Sequence, residues 1–345
     1  MKIYFHIGIP RTATTFLQKK VFPNLNHNSF SNRRTIYNPS DLMSALLVAK
    51  RNHKKNSKHL FAEDKDIIHS ILKKYKDYDT LLLSDESYSM TPWEQNYYSY
   101  NLFLKRLFPE ATIIIVLRYQ PDWILSIHRL SFKKGLTISL ENFLNYSSSK
   151  FKPYIRNDPP LLKASLNVHG ISFSSLVGNF INSFGKDKVR VYFFEDFQQK
   201  PKTWTRELLT NMGLDLNFSL NKINFNSKVN DGMLSRDLDI LINLVNLGGL
   251  ISHLQFKTFK IIIKEKIYFA PFLLIAKFYQ KITRKFLLQI LQTSSRLIVA
   301  KKDKYKNSKI YYDLKLKFKN DNKNLLEYIS KKEIPSKYLN NKNSD

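Results

Sequence analysis

Residues 3–18 read Ile3-Tyr-Phe-His-Ile-Gly-Ile-Pro-Arg-Thr-Ala-Thr-Thr-Phe-Leu-Gln18, and their reading decides the fold. Ile3–Ile7 is an apolar run that predicts a buried strand, with His6 inside it expected as a satisfied core histidine. Gly8–Ala13 predicts a turn, and a helix should begin near Thr14. A strand that passes through a short loop into a helix leaves the first N–H groups of that helix without intrahelical partners. The junction is therefore suited to hold an anion.

Outward from this unit the same alternation repeats. Thr80-Leu-Leu-Leu-Ser84 predicts a second buried strand, ending in Asp85-Glu86-Ser87. A helix is expected around Tyr97–Phe108. Ala111-Thr-Ile-Ile-Ile-Val-Leu117 carries the strongest strand signal and stops at Arg118; the next helix should cover Pro121–Leu130. Lys188-Val-Arg-Val-Tyr-Phe-Phe194 predicts another strand, followed by Glu195-Asp196-Phe197 and a helix over Lys202–Met212 that ends at Gly213. Residues 40–76 look helical with one polar face, and the lysine runs at 50–58 read as solvated loop. Continuous β-branched runs alternating with helices predict an α/β fold with a P-loop-like parallel sheet flanked by helices on both faces. Such sheets bind ligands where strands end and helices begin.

Composition narrows the function. With 43% hydrophobic and 14% aromatic residues among 345, the chain can bury a core, which excludes a disordered or fibrous protein. It carries 56 Lys and Arg against 28 Asp and Glu, a net charge of +28, so its partners are expected to be anionic. Cysteine is absent, which excludes disulfides, a thiolate nucleophile and a cysteine-ligated metal, and fits a reducing compartment. His6, Pro10 and Arg11 interrupt the apolar start, so it does not read as a signal peptide. The stretch Ile240–Phe256, free of Asp, Glu, Lys and Arg, contains Asn243, Asn246, Gly248, Gly249, Ser252, His253 and Gln255 and does not read as a membrane span. The expectation is a cytoplasmic protein, soluble or membrane-peripheral.

The organisation expected is an α/β core over 1–239 and a basic helical region over 240–345 packed on it, with 316–340 belonging to the core. Residues 240–345 hold 22 basic against 7 acidic residues. Lysines there alternate with apolar and aromatic residues, which suits either surface helices with lysine faces or peripheral contact with an anionic membrane through 240–315.

Against the triphosphate loop G-x-x-x-x-G-K-[ST], Gly8 and Thr15 match, Ala13 replaces the second glycine and Thr14 replaces the lysine. That lysine reaches the β and γ phosphates. A loop without it, but with Arg11, suits a donor with a single 5′-phosphate carrying a transferable group.

Here the chain resembles the sulfotransferase superfamily that uses 3′-phosphoadenosine 5′-phosphosulfate (PAPS), including its bacterial and carbohydrate-type members. The family's first loop, P-[KR]-[ST]-[GA]-[ST]-T-x-L, has its counterpart in Pro10-Arg-Thr-Ala-Thr-Thr-Phe-Leu17. Its second signature, a strand-terminal arginine followed eight residues later by a serine, has its counterpart in Arg118 and Ser126. Val191–Leu214 is similar to the family's strand, acidic turn, helix and Gly-Leu exit, with Phe194 where an aromatic packs near adenine. Asn224–Ser235 resembles a segment that closes over the nucleotide, with Lys228 as a phosphate contact. The resemblance covers about residues 1–235 and resumes at Phe318–Leu339.

The resemblance implies transfer of a sulfonate from PAPS to an acceptor hydroxyl, of a saccharide or glycolipid, without a metal and without nucleic acid as partner. Arg11 and the backbone of Thr12, Ala13, Thr14, Thr15 and Phe16 would hold the 5′-phosphosulfate, and Arg118 with Ser126 the 3′-phosphate. A base is needed at the attacking hydroxyl. Glu86 is the candidate, as in the glycan-modifying branch, with Asp85 as its neighbour and His128 as a rival. Arg11 would stabilise the sulfonate and the departing phosphate. Two other readings stand beside this one: a P-loop kinase or NTPase, against which Thr14 argues, and a basic adaptor that binds nucleic acid or membrane.

Overall fold

Thr112–Leu117 is β-branched at every position but its last, and a strand with no polar face must be covered on both sides. It lies inside a five-stranded parallel sheet, and every residue after Thr112 is buried. The computed structural model describes residues 1–27, 34–54, 58–89, 97–133, 138–153, 166–214, 220, 223–225 and 304–339. Its strands in chain order are β1 (Lys2–His6), β2 (Thr35–Tyr37), β3 (Thr80–Ser84), β4 (Thr112–Leu117), β5 (Tyr146–Ser147), β6 (Lys150–Phe151) and β7 (Val189–Phe193). The large sheet has the order β2-β3-β1-β4-β7, while β5 and β6 form a small antiparallel ladder of their own.

Register fixes which strand ends meet. His6 at the end of β1 pairs with Ser84 at the end of β3 and with Ile114 in β4, and Leu117 pairs with Phe193 of β7. Because all five strands are parallel, the residues after Ser84, Leu117 and Phe193 and the loop after β1 emerge along one edge. The chain leaves β1 toward β2 and β3, then crosses to β4 on the other side of β1, so the order reverses at β1. A doubly wound sheet opens its crevice at such a reversal.

Two compact units divide the chain. The first comprises Met1–Trp123, Gly170–Asn230 and Lys317–Asp345 and contains the sheet; the second comprises Ile124–His169 and Asp231–Leu316. In the first unit, the helix Ser40–Lys54 buries Leu42, Leu46 and Ala49 on one face, the spacing of an amphipathic helix. Lys50 is buried with them, in contrast to the solvated loop expected at 50–58. Its ammonium donates to Ser87 O at 2.7 Å and Ser87 Oγ at 2.6 Å, over the rings of Tyr88 and Tyr100. The helix Pro201–Asn211 starts on a proline, which costs no hydrogen bond in a first turn, and Gly213 follows it at φ 66, the left-handed exit that glycine takes most easily.

The segment 317–339 is bolted to the first unit by carboxylates. Asp321 accepts from Gln120 Nε2 at 2.9 Å, Ser172 Oγ at 2.7 Å, Phe173 N at 2.8 Å, Ser174 N at 3.2 Å and Ser174 Oγ at 2.6 Å. It thereby caps the helix Phe173–Phe184 and holds the start of the helix Gln120–Lys133. In the second unit, His128 is fully buried, its Nε2 bonded to Ile138 O at 2.9 Å and its ring against Phe143 and Tyr305. Among the described residues no helix is long and apolar enough to cross a membrane. Most of the basic stretch 240–315 lies outside the described residues.

Candidate active site

The loop after β1 is drawn toward β4. Ile7 N donates to Ile114 O at 2.9 Å and Ile9 N to Val116 O at 3.2 Å, so the chain follows β4 to its end before turning. Three successive carbonyls are then tied down: Ile9 O by Thr12 Oγ1 at 2.6 Å, Pro10 O by the buried indole of Trp123 at 2.8 Å, and Arg11 O by Arg118 Nη1 at 3.1 Å. Arg11 and Ala13 have φ values of 70° and 63°. Two left-handed residues on either side of Thr12 are the kind of backbone from which anion-binding nests are built.

The side chains of this loop are mostly spoken for. The Thr12 hydroxyl bonds Ile9 O and lies 3.4 Å from Thr14 Oγ1, and both threonines are buried. Phe16 packs its ring on Phe197 and Phe225. The side chains of Thr12, Thr14 and Phe16 are therefore engaged within the protein, while Thr15 is half-exposed. Arg11 is half-buried, and its pKa is lowered by burial first and by the Arg118 guanidinium second, against the raising effect of Glu86. Two cations and a carboxylate from three different strand ends thus act on one another at this edge.

Arg118 follows β4, and its guanidinium lies 4.6 Å from the centre of the Phe194 ring, the first residue beyond β7. Phe194 accordingly flanks Arg118, half-buried, instead of being sunk in the core. Next to it, the buried Glu195 accepts from Tyr119 N at 3.0 Å and from Tyr338 Oη at 3.3 Å. Burial raises the Glu195 pKa, and the Tyr119 amide and the positive charge of Lys337 and Arg118 oppose this. Lys337 forms an ion pair with Asp122 and lies over the ring of Tyr119.

Glu86 opens a short 3-10 turn, Glu86–Tyr88, whose cap is Asp85: its carboxylate accepts from Ser87 N at 2.8 Å. The turn is pinned on its far side by Lys50 and by Ser89 Oγ, which bonds Glu86 O at 2.8 Å. Glu86 is half-buried, and the neighbouring Asp85 carboxylate is engaged as a cap.

The structure therefore brings together Arg11, the Thr12–Phe16 backbone, Glu86, Arg118 and Phe194. Ser126 is buried on the helix Gln120–Lys133 and falls in the second unit, as does His128, whose burial lowers its pKa to about 4. Lys228 lies outside the described residues. His6 is in the core as expected, yet only its Nδ1 is bonded, to Ser84 Oγ at 2.8 Å. Trp123, Glu195 and the Lys337–Tyr338 pair escape a sequence reading. Trp123 alone leaves a trace there, as a large donor-bearing ring in the first turn after a strand-terminal arginine. Among the described residues no group of three or more His, Cys, Asp or Glu side chains could hold a metal ion.

No family model matches this chain, and no curated protein does. Among solved structures it is similar to a sulfotransferase from Alicyclobacillus acidocaldarius, at 14% identity and TM-score 0.43, over 77% of this chain and 97% of that one. It is also similar to the sulfotransferase domain from the curacin biosynthetic pathway, at 14% identity and TM-score 0.33, over 62% and 74% of the two chains.

Proposed function

We propose that this chain is a PAPS-dependent sulfotransferase that moves a sulfonate group to an acceptor hydroxyl. One observation carries the reading: a nest-forming loop with threonine in place of the phosphate-binding lysine is braced by Arg118, within the field of Glu86. The lysine-free nest suits a single phosphate bearing a sulfonate, and a guanidinium at the adjacent strand end suits a second, separate phosphate. A kinase or NTPase loop would need the lysine that Thr14 replaces.

In this mechanism Glu86 accepts the proton of the acceptor hydroxyl as its oxygen forms the new bond to sulfur. The sulfur–oxygen bond to the 5′-phosphate breaks in line, and Arg11 with the Thr12–Phe16 amides takes up the charge that develops on that phosphate. Arg118 holds the 3′-phosphate, with Phe194 beside it for the adenine. The part of Ser126 is tested separately by Ser126→Ala. A saccharide or glycolipid hydroxyl is proposed as acceptor from the glutamate-type base, and a cytoplasmic location from the cysteine-free composition.

The test is a thermal-shift measurement with adenosine 3′,5′-bisphosphate, without added magnesium, on the wild type and Arg118→Ala. At about 100 times the Kd a ligand stabilises by ~2.7 kcal/mol. At roughly 2–4 °C per kcal/mol this is a shift of about 5–10 °C. In Arg118→Ala the shift should fall to about 1 °C or less, since a lost bidentate charge-assisted contact of ~3 kcal/mol removes about two decades of affinity. Equal shifts in both proteins would overturn the site.

A further inference from the structure

His6 is fully buried at the end of β1, directly across from Ser84, with its ring edge-to-face against Phe22. Its Nδ1 lies 2.8 Å from Ser84 Oγ. Gln18, just past the loop, points its Nε2 at both Ser84 O (3.2 Å) and Ser84 Oγ (3.1 Å). A carbonyl oxygen can only accept, so the Gln18 amide must present its NH2 group to this pair. The Ser84 hydroxyl then receives a hydrogen from Gln18, and His6 Nδ1 is within reach to accept its own. In that arrangement the imidazole carries its proton on Nε2, a buried atom with no hydrogen-bond partner of its own among the described residues. Burial, which lowers the His6 pKa to about 3, keeps the ring neutral.

The remaining groups of Ser84 are also held. Asn38 Nδ2 donates to Ser84 O at 3.2 Å, Asn38 Oδ1 accepts from Ser84 N at 2.8 Å, and His6 O accepts from Asp85 N at 3.0 Å. Every polar atom of the residue that precedes the Asp85–Glu86 turn is fixed. The same imidazole reaches the other way: a Cβ on Gly8 would lie 2.9 Å from His6 Nε2 and 3.3 Å from Thr12 Oγ1. His6 thus touches both the seat of the anion loop and the root of the Glu86 turn.

We infer that His6, Ser84 and Gln18 form a positioning unit, with His6 neutral and protonated on Nε2, that sets Glu86 against the anion loop. The inference rests on the proposed reaction for its kinetic consequence, and on the contacts of Ser84 together with the burial of His6 for its proton placement. A base misplaced by about an ångström loses roughly two decades in rate, so such a unit acts on turnover and leaves donor binding nearly untouched.

The experiment uses the full chain and has two arms. In 15N-histidine NMR, His6 should show a pyrrole-type Nε2 and a pyridine-type Nδ1, unchanged over about pH 5–8. A proton on Nδ1, or titration within that range, overturns the inference. In the second arm, PAPS turnover with water as acceptor and bisphosphate affinity are measured for His6→Asn, His6→Gln and Ser84→Ala, beside their unliganded Tm. Asparagine returns an acceptor at the place of Nδ1, whereas glutamine does not. His6→Asn should keep kcat within about threefold, while His6→Gln and Ser84→Ala lose roughly 10–100-fold, all with bisphosphate Kd within about threefold. Equal kcat in all variants, or losses mirrored in Kd, would overturn it. A wild type that neither binds bisphosphate nor turns over PAPS refutes the sulfotransfer reading instead, and the NMR arm then decides the proton placement by itself.

Discussion

Replacing Asp321 tests whether the C-terminal segment is part of the machine that holds Arg118. Its carboxylate accepts five hydrogen bonds, two of them from the first amides of the helix Phe173–Phe184 and one from Gln120, two residues beyond Arg118. Bonds to a charged acceptor contribute about 1.5–3 kcal/mol each, but they do not add, because the Ser172, Ser174 and Gln120 side chains can turn to water when released. The two amides cannot turn. Asp321→Ala should therefore cost about 3–4 kcal/mol, the equivalent of two charge-assisted bonds. At roughly 2–4 °C per kcal/mol the Tm should fall by about 10 °C. Asp321→Asn keeps the oxygen that faces Ser172 and Ser174 but turns an NH2 group toward Phe173 N or Gln120 Nε2, so it should lie between the two, losing about 2 kcal/mol. Differential scanning calorimetry of the three proteins at one pH reads the order. A loss under about 1 kcal/mol for Asp321→Ala would show that the five contacts do not stabilise the fold as their geometry implies.

Glu86→Gln should abolish PAPS turnover, by about 100-fold or more, and leave the bisphosphate thermal shift intact, since the base touches the acceptor and not the phosphates. Two buried neutral imidazoles set the response to acid: His6 and His128 have folded pKa values of about 3 and about 4, below the ordinary 6.5 of the unfolded chain. The unfolded state therefore binds more protons, the stability they confer is full above about pH 6.5, and it declines as the pH falls. The slope is up to ~1.4 kcal/mol per pH unit for each, until the folded pKa is reached. Urea titrations between about pH 7 and 5 check this, and His6→Asn should flatten the slope. Ala13→Gly should change Tm by less than about 1 kcal/mol equivalent, because relief of left-handed strain and added unfolded-state entropy oppose each other. Calorimetry should find bisphosphate binding to that variant weaker, since its loop is less pre-shaped.

The sheet was legible because β3 and β4 carry uninterrupted apolar runs, Leu81–Leu83 and Ile113–Leu117, and a strand of that kind has one place to go. Its order was not legible, since pairing between β1 and β4 or β3 depends on partners far apart in the chain. The three-residue β2 has only half-buried residues, and the helix Phe173–Phe184 hides its apolar stripe among Ser, Asn and Gly. Lys50 shows the limit of charge as a guide. In a run of lysines it reads as solvated, yet two tyrosine rings and the Ser87 oxygens replace its water. In the candidate site, Arg11, Glu86 and Arg118 could be named because each lies within four residues of the end of a predicted strand, in segments that resemble the sulfotransferase signatures. The atoms that place them could not, because a carboxylate such as Glu195 or an indole such as Trp123 has no spacing rule that ties it to a loop in another part of the chain.

The loop geometry explains why so many of those hidden atoms sit around it. Arg11 and Ala13 adopt a conformation that costs a residue with a Cβ about 1–2 kcal/mol each, and a loop left to itself would relax out of it. It is kept there from the β4 side, by Val116 O, Trp123 Nε1 and Arg118 Nη1. Trp123 and Arg118 are in turn fixed at the head of a helix whose first residues are tied to Asp321 through Gln120 and to Lys337 through Asp122. Strain in the anion loop, the placement of Arg118 and the docking of segment 317–339 are thus successive steps of one chain of support. A nest built from glycine would not need such support, but it would have to be ordered by its ligand at each binding event. A strained, braced loop is ordered beforehand, so under the proposed function the free energy of anion binding would not be spent on organising the site.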